Sequence, residues 1–254
     1  MSICPAGDGR RPNWYNRFMT FKKRYLLAAA ALALAACAHQ PPAAAPQAAA
    51  EVRVHYAAPQ PFRTAPFPPP PAADSMEQQA DLAGVLAWQN KRTAADCARA
   101  ARTADETYDA YWGANSPFPG PVPAEFKEFF DRVSADFEAA LDEIKARFSR
   151  PRPYKAYPEQ AKPCIKKSKS FSYPSGHSSA ARVTAAVLAD LAPERRAEFY
   201  AKADEIALDR VVGGVHYPGD IAAGKAFGDL FHAELLKSEA YQKDLARLRL
   251  LLRK

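Results

Sequence analysis

Apolar residues recur with a helical period through the second half of the chain. Between Glu125 and Phe148 they return every three or four positions, which predicts a helix with one broad apolar face. Residues 178–191 and 194–212 predict two further helices, and the glycine pair 213–214 is expected to end the second. The pattern favours an all-α fold, with a single helical-bundle domain over residues 76–254.

The N-terminal region has the pattern of an export signal. Three basic residues, 22–24, precede the apolar run Tyr25 to Ala36. Twelve residues are too few for a permanent membrane span but suit a signal-peptide core. Residues 1–36 are therefore predicted to be a signal peptide, and Met19 is an alternative start. The protein is expected to be exported to the periplasm.

Two processing sites compete at the end of this signal. Residues 34–37, Leu-Ala-Ala-Cys, resemble a bacterial lipobox, which implies cleavage before Cys37 and lipidation of that cysteine. Cleavage after Ala38, at an Ala-x-Ala site, would instead release a soluble protein. The lipoprotein is favoured, so membrane attachment through a lipid on Cys37 is expected.

Alanine and proline dominate the next segment. Residues 38–75 contain 12 alanines and 10 prolines, without a helix or strand period. Such composition is typical of an extended, unpacked chain. Residues 37–75 are predicted to be a disordered tether.

The basic net charge has little functional meaning. The formal charge is +7, but residues 1–36 contain six basic and one acidic residue, which leaves about +2 elsewhere. The lysines between Lys162 and Lys169 are interpreted as a solvated loop, and guidance of anionic substrates is a weaker alternative. No nucleic-acid motif accompanies them, so nucleic acid is not expected as a partner.

Two short segments carry the candidate chemistry. One is Pro-Ser-Gly-His at 174–177, and the other runs from Arg210 through His216 to Asp220. A phosphate ester needs fixed cations and N–H donors, and arginine forks bind two of its oxygens at once. A neutral imidazole oriented by a carboxylate can serve as the nucleophile. His232 lacks such neighbours and is interpreted as structural or exposed.

Arg210 stands out for its position on a helix. It shares one face with Phe199, Ala203 and Ile206, which places a permanent cation on an apolar stripe. A buried guanidinium is costly without an anion, so either a carboxylate or a bound phosphate is expected beside it.

Together with Lys145 and Arg152, these segments form the pattern K-x6-R-P, P-S-G-H and R-x5-H-x3-D. The pattern resembles the signature of the phosphatidic acid phosphatase type 2 (PAP2) superfamily, whose fold is shared with haloperoxidases. Within it, the chain is similar to the class A nonspecific acid phosphatases. One departure is Asp209, where the family usually has serine; its carboxylate could weaken the pull of Arg210 on phosphate or face solvent.

The resemblance implies a role for each matching residue. His216 would be the nucleophile that forms a phosphohistidine, Asp220 would orient it, and His177 would protonate the leaving alcohol. The phosphate would be bound by Lys145, Arg152, Ser175, Gly176 and Arg210. The family needs no metal or other cofactor, and the sequence contains no motif with metal-ligand spacing.

The expected function is therefore hydrolysis of small phosphate monoesters by a metal-independent acid phosphatase of the cell envelope. Because His177 must be protonated while His216 is neutral, a bell-shaped pH profile with an acidic optimum is expected. A vanadium-dependent haloperoxidase and a non-catalytic phosphate-binding lipoprotein remain as alternatives.

Cysteine usage adds one open question. Cys4 would be lost with the signal peptide, and Cys37 would be acylated. Cys97 and Cys164 remain, and export makes a disulfide between them plausible, with two buried thiols as the alternative.

Overall fold

The structure is a computed structural model that describes residues 53–104 and 107–252. Every regular element in these two ranges is helical, so the predicted all-α class is confirmed. The α-helices are α1 Met76–Lys91, α2 Ala94–Arg102, α3 Tyr108–Trp112, α4 Ala124–Ala146, α5 Pro153–Ala156, α6 Gly176–Leu191, α7 Arg196–Val212, α8 Pro218–Leu235 and α9 Glu239–Leu251. Short 3-10 helices cover Gln60–Arg63, Gly113–Asn115 and Pro193–Arg195.

The central helix is α6, which packs against both α7 and α8. Its small side chains are almost all buried. Gly224 of α8 shows how close the packing is, since a Cβ atom there would lie only 2.7 Å from the Ser175 carbonyl oxygen. A side chain at position 224 would therefore push α8 away from the N-terminus of α6.

Helix α4 follows its predicted amphipathic pattern. The buried positions recur at helical spacing on one face: Phe126, Phe129, Val133, Phe137, Ala140 and Ile144. Phe137 contacts Phe231 of α8, with 5.5 Å between ring centroids. Burial of this stripe contributes about 2 kcal/mol for each large side chain, before the entropy cost of ordering it.

The segment before α1 is packed, contrary to the tether prediction. Residues 54–67, here called the N-terminal strap, bury Tyr56 and Phe62 in the core. The buried carboxylate of Asp136 on α4 accepts hydrogen bonds from three consecutive main-chain N–H groups of the strap, those of residues 55–57. Phe62 contacts Phe227, with 5.6 Å between ring centroids.

The predicted disordered tether is therefore wrong over the strap. Proline-rich composition disfavours regular structure, but isolated aromatic side chains can still anchor an extended segment in a core. The packed domain begins at Val54 rather than at residue 76. The rest of the N-terminal predictions, namely the signal peptide, Cys37 and the tether up to residue 52, lie outside the described residues.

Cys97 of α2 and Cys164 form a disulfide with an S–S distance of 2.07 Å and a sequence separation of 67. It links α2 to the loop between α5 and α6. No helix in the described ranges is both long enough and apolar enough to cross a membrane.

Candidate active site

Three loops converge where the candidate residues lie. They are residues 147–152 after α4, residues 170–175 before α6, and residues 213–217 between α7 and α8. The Ser172 N–H donates to the Arg150 carbonyl, at 2.9 Å. Arg152 joins all three loops, because its guanidinium donates to the carbonyl oxygens of Ser170 and Val215.

His216 is fully buried at this junction. Its Nε2 lies 3.0 Å from Nη1 of Arg152, and its Nδ1 lies 3.3 Å from Oδ2 of Asp220. A guanidinium can only donate hydrogen bonds, so Nε2 must be the acceptor and Nδ1 must carry the proton. The imidazole is thus held in the tautomer whose lone pair is on Nε2.

The surroundings of His216 favour its neutral form. Burial is the largest cause, and the Arg152 charge acts in the same direction, while Asp220 opposes both. Together they lower the pKa of His216 to about 3. The imidazole is therefore unprotonated in mildly acidic solution.

Asp220 is the anionic partner of this neutral imidazole. It lies in the first turn of α8, where its Oδ2 also accepts the Ser172 hydroxyl at 2.5 Å and the Tyr217 N–H at 2.9 Å. Its Oδ1 accepts Nη1 of Arg150 at 2.7 Å. Burial alone would raise the pKa of Asp220, but the contact with His216, the Arg150 charge and the Ser172 hydrogen bond together outweigh it and lower the pKa.

Ser175, Gly176 and Lys145 meet at the N-terminus of α6. The Ser175 hydroxyl caps this helix by accepting the Ser178 N–H at 3.4 Å. A Cβ atom on Gly176 would lie 3.8 Å from Cε of Lys145, so the lysine stem passes close to the glycine. The Lys145 ammonium also donates to the Phe171 carbonyl at 3.4 Å. The N–H groups at the start of α6 and this ammonium make an electropositive corner.

Arg210 and His177 both contact the chain at the end of α2. Nη2 of Arg210 donates to the Ala100 carbonyl and to the Thr103 hydroxyl, at 2.5 Å each. Nε2 of His177 lies 3.2 Å from the Ala104 carbonyl oxygen. Among the described residues, the buried guanidinium therefore donates to a carbonyl of α2 and to a hydroxyl in the turn that follows it. The Arg210 carbonyl accepts the His216 N–H at 3.2 Å, which fixes the start of the loop before α8.

Asp209 does not face solvent, so that alternative for the family departure is wrong. Its carboxylate is buried and accepts Nε of Arg99 at 3.0 Å and the Thr103 hydroxyl at 3.2 Å. Thr103 therefore connects Asp209 to Arg210, and Arg99 balances the added negative charge.

Arg150, Asp81 and Ser172 also lie in this centre, but the sequence analysis did not identify them. Arg150 stands two positions before Arg152 in an Arg-Pro-Arg-Pro run, and that doublet was the one available signal. Asp81 lies on α1, 69 residues before Arg150, and accepts its Nη2 at 2.6 Å. Sequence spacing gives no indication of a contact at that separation.

His232 is a structural residue in this fold, as one of the two interpretations held. It is nearly buried on α8, and its Nε2 lies 2.8 Å from Oδ2 of Asp190 on α6. In residues 53–104 and 107–252, no group of three or more His, Cys, Asp or Glu side chains is arranged to hold a metal ion.

Residues 135–243 match the PAP2 superfamily. The chain contains a PAP2 superfamily domain. Every residue of the predicted phosphate site, from Lys145 to Asp220, lies within the matched range, whereas Asp81 and the strap precede it. The predicted relationship and the helical PAP2 fold class are thus confirmed.

Curated relatives of the PAP2 domain carry phosphatase names. A non-specific acid phosphatase of Salmonella typhimurium is 38% identical over 81 residues, which are 32% of this chain and 32% of that protein. One from Providencia stuartii is 27% identical over 190 residues, which are 71% of this chain and 77% of that protein. A lipid A 1-phosphatase of Rhizobium etli is 45% identical over 60 residues, which are 24% of this chain and 26% of that protein. The match thus spans about a third of the Salmonella protein's length.

Two solved structures resemble the chain more distantly. A transmembrane PAP2 type phosphatidylglycerolphosphate phosphatase from Bacillus subtilis has a TM-score of 0.49 and 20% identity, covering 65% of this chain and 87% of that one. A bacterial vanadium-dependent iodoperoxidase has a TM-score of 0.49 and 18% identity, covering 69% of this chain and 52% of that one.

Proposed function

We propose that this protein is a phosphatase that hydrolyses phosphate monoesters through a covalent phosphohistidine on His216. The observation that carries the proposal is the state of that imidazole. It is neutral, its Nδ1 proton points at an ionised Asp220, and its Nε2 lone pair lies beside the cation of Arg152. To attack phosphorus, an imidazole needs an unprotonated ring nitrogen, and a nearby positive charge stabilises the phosphoryl oxygens.

The reaction would proceed in two displacements. In the first, Nε2 of His216 forms a bond to phosphorus while the ester P–O bond breaks, and His177 gives its proton to the departing alkoxide. In the second, water attacks phosphorus, the P–N bond breaks, and His177 takes a proton from that water. Inorganic phosphate leaves, and both imidazoles return to their starting states.

Five residues would hold the phosphate during these steps. Arg152 lies beside the nucleophile, and its charge and that of Lys145 both lower the pKa of His216. The start of α6, at Ser175 and Gly176, would supply main-chain N–H donors. Arg210 would bind a further oxygen, and we expect phosphate to replace the carbonyl contacts that Arg210 and His177 make near the end of α2.

An acidic pH optimum follows from the same electrostatics. Most imidazoles become protonated and non-nucleophilic below pH 6, but a pKa of about 3 keeps His216 neutral in mild acid. His177 is only half-buried, which leaves the proposed general acid accessible to a leaving group. Activity would then fall on the acid side as His216 gains a proton.

The substrates and the compartment complete the proposal. Small phosphorylated molecules are the proposed substrates, in keeping with the names of the acid phosphatase relatives. The export signal and lipobox in the sequence support a periplasmic protein anchored through Cys37. Labelling cells with radioactive palmitate, with and without globomycin, tests the anchor: absence of label on the wild-type chain, or unchanged label in Cys37→Ser, would refute it.

The central test is His216→Ala assayed on an aryl phosphate between pH 4 and 8. We expect turnover to fall about 10⁴-fold or more, because the nucleophile is gone. His232→Ala is the matched control, since it removes a nearly buried histidine of α8 whose contact is with Asp190. Alkali-quenched protein should retain labelled phosphate in the wild type and lose it in His216→Ala. Normal turnover by His216→Ala would remove the proposed mechanism.

A further inference from the structure

Arg150 is a buried cation next to the proposed nucleophile pair. Its side chain is 4% exposed, and it lies between α1 and α8. Nη1 donates to Oδ1 of Asp220 at 2.7 Å, while Nη2 donates to Oδ2 of Asp81 and Oε1 of Gln78, at 2.6 Å each. The guanidinium also lies over the Tyr217 ring, 4.0 Å from its centroid.

We propose that Arg150 and Asp81 are positioning residues that fix both the orientation and the charge of Asp220, and through it the tautomer of His216. The inference rests on the phosphatase proposal above, and it adds two residues outside the signature that pointed to the site. Neither residue is proposed to touch the phosphate. Both act through the carboxylate of Asp220.

Orientation follows from how the two oxygens of Asp220 are divided. Oδ1 is held by Arg150, whereas Oδ2 receives His216 Nδ1, the Ser172 hydroxyl and the Tyr217 N–H. A carboxylate anchored at one oxygen cannot rotate without losing a charge-assisted hydrogen bond. Arg150 therefore keeps Oδ2 aimed at the imidazole.

Asp81 fixes Arg150 in turn and also holds the start of α8. Its Oδ1 accepts the Gly219 N–H at 2.7 Å, and its Oδ2 accepts Arg150. A Cβ atom on Gly219 would lie 2.5 Å from that carboxylate, so the approach depends on glycine. Helix α1 is thereby connected to the turn that carries Asp220.

The charges around His216 and Asp220 predict the direction in which each substitution should shift their pKa values. The groups that face His216 and Asp220 are Arg152, Arg150, Lys145, Asp81, Tyr173 and Tyr217. Removing the Arg150 cation should raise the pKa of both Asp220 and His216, because each loses a nearby positive charge. Removing the Asp81 anion should lower the pKa of both Asp220 and His216, since the positive charge of Arg150 is then no longer balanced by Asp81.

The experiment compares pH profiles of kcat/KM for the wild type, Arg150→Met and Asp81→Asn on an aryl phosphate. In Arg150→Met, the acid limb of the kcat/KM profile should move to higher pH by about one unit. The value of kcat/KM at the optimum should fall about 10- to 100-fold. The acid limb of Asp81→Asn should move down. Arg150→Lys keeps the charge and loses the fork, so it should keep the wild-type limb with a lower kcat.

Arg182→Met is the control, because it removes an arginine of α6 that pairs with Asp229 on the surface. Its acid limb should match that of the wild type. If the acid limbs of Arg150→Met and Asp81→Asn move in the same direction, or if neither moves in active protein, the positioning role is overturned. Should Arg150→Met fail to fold, Asp81→Asn and Arg150→Lys still decide the question.

A second measurement needs no turnover. Nitrogen-15 NMR of selectively labelled histidines in the full chain reports which ring nitrogen of His216 is protonated. We expect the Nδ1–H tautomer in the wild type, and protonation of the ring at a higher pH in Arg150→Met. A wild type without phosphatase activity would refute the proposed function, whereas an unchanged His216 titration in Arg150→Met would refute only the role of Arg150.

Discussion

Asp136 and Asp220 are both buried carboxylates at helix faces of the same domain, yet their donors differ in kind. Asp136 accepts three consecutive main-chain N–H groups of the strap. Asp220 accepts hydrogen bonds from a guanidinium, a hydroxyl, an imidazole and one main-chain N–H. Main-chain donors are fixed and do not titrate, so Asp136 serves to attach a segment. Side-chain donors can change protonation or partner, which suits Asp220 to chemistry.

The comparison is tested most strongly by Asp220→Asn. An amide whose oxygen stays on Arg150 turns its NH2 toward His216 and favours the tautomer with the proton on Nε2. We expect kcat/KM on an aryl phosphate to fall about 10³- to 10⁴-fold, equivalent to about 4–5 kcal/mol of transition-state stabilisation. Activity within tenfold of the wild type would show that Asp220 is no more functional than Asp136.

Asp136→Ala should show the opposite division between stability and activity. Three buried N–H groups lose their acceptor, and we expect the free energy of unfolding to drop by about 2–4 kcal/mol. Urea denaturation followed by circular dichroism measures this loss. The folded variant should keep the wild-type kcat/KM at low temperature. Asp136→Asn, which retains one acceptor oxygen, should lose less.

A large activity loss in fully folded Asp136→Ala would remove the distinction between the two carboxylates. It would mean that the strap takes part in forming the active site, and not only in closing the core.

The most gradual of the expected effects is on the pH dependence of stability. The pKa of His216 is about 3 in the folded state and near its ordinary value of 6.5 when unfolded. Between those values His216 is protonated in the unfolded chain but not in the folded one. The contribution of His216 to the free energy of unfolding is therefore fully present above pH 6.5 and falls as the pH drops toward 3. The slope from one such group is at most about 1.4 kcal/mol per pH unit.

His216→Gln should make this acid loss shallower over the same interval, as measured by urea midpoints from pH 7 to 4. Asp220 affects stability at lower pH than His216. Its pKa is depressed in the folded state, so its contribution to stability is lost only as the pH falls below the ordinary pKa of an aspartate. A profile identical in the wild type and His216→Gln would contradict the neutral state of the buried imidazole.

Local features of the fold were predictable because short-range physics decides them. The apolar stripe of α4 was predicted from the order of the residues. The end of α7 at the glycine pair was also expected, and Gly214 has a φ of 75°, a left-handed value that favours glycine.

The strap escaped prediction because composition was averaged over the whole segment 38–75. Its first part has no aromatic ring apart from His39, whereas Tyr56, Phe62 and Phe67 fall within the strap. These three rings were the signal that could have separated a packed segment from an unpacked one.

The sequence by itself determined the helical class, the relationship to the PAP2 superfamily and the set of candidate site residues, because motif spacing and hydrophobic period are properties of the chain order. Only the tertiary structure decided which charges share a buried space. Asp81 and Gly219 are 138 residues apart, and Arg150 reaches both Asp81 and Asp220 only after α1 and α8 have packed. Burial turns such contacts into large electrostatic effects, since low dielectric strengthens every pair that folding brings together.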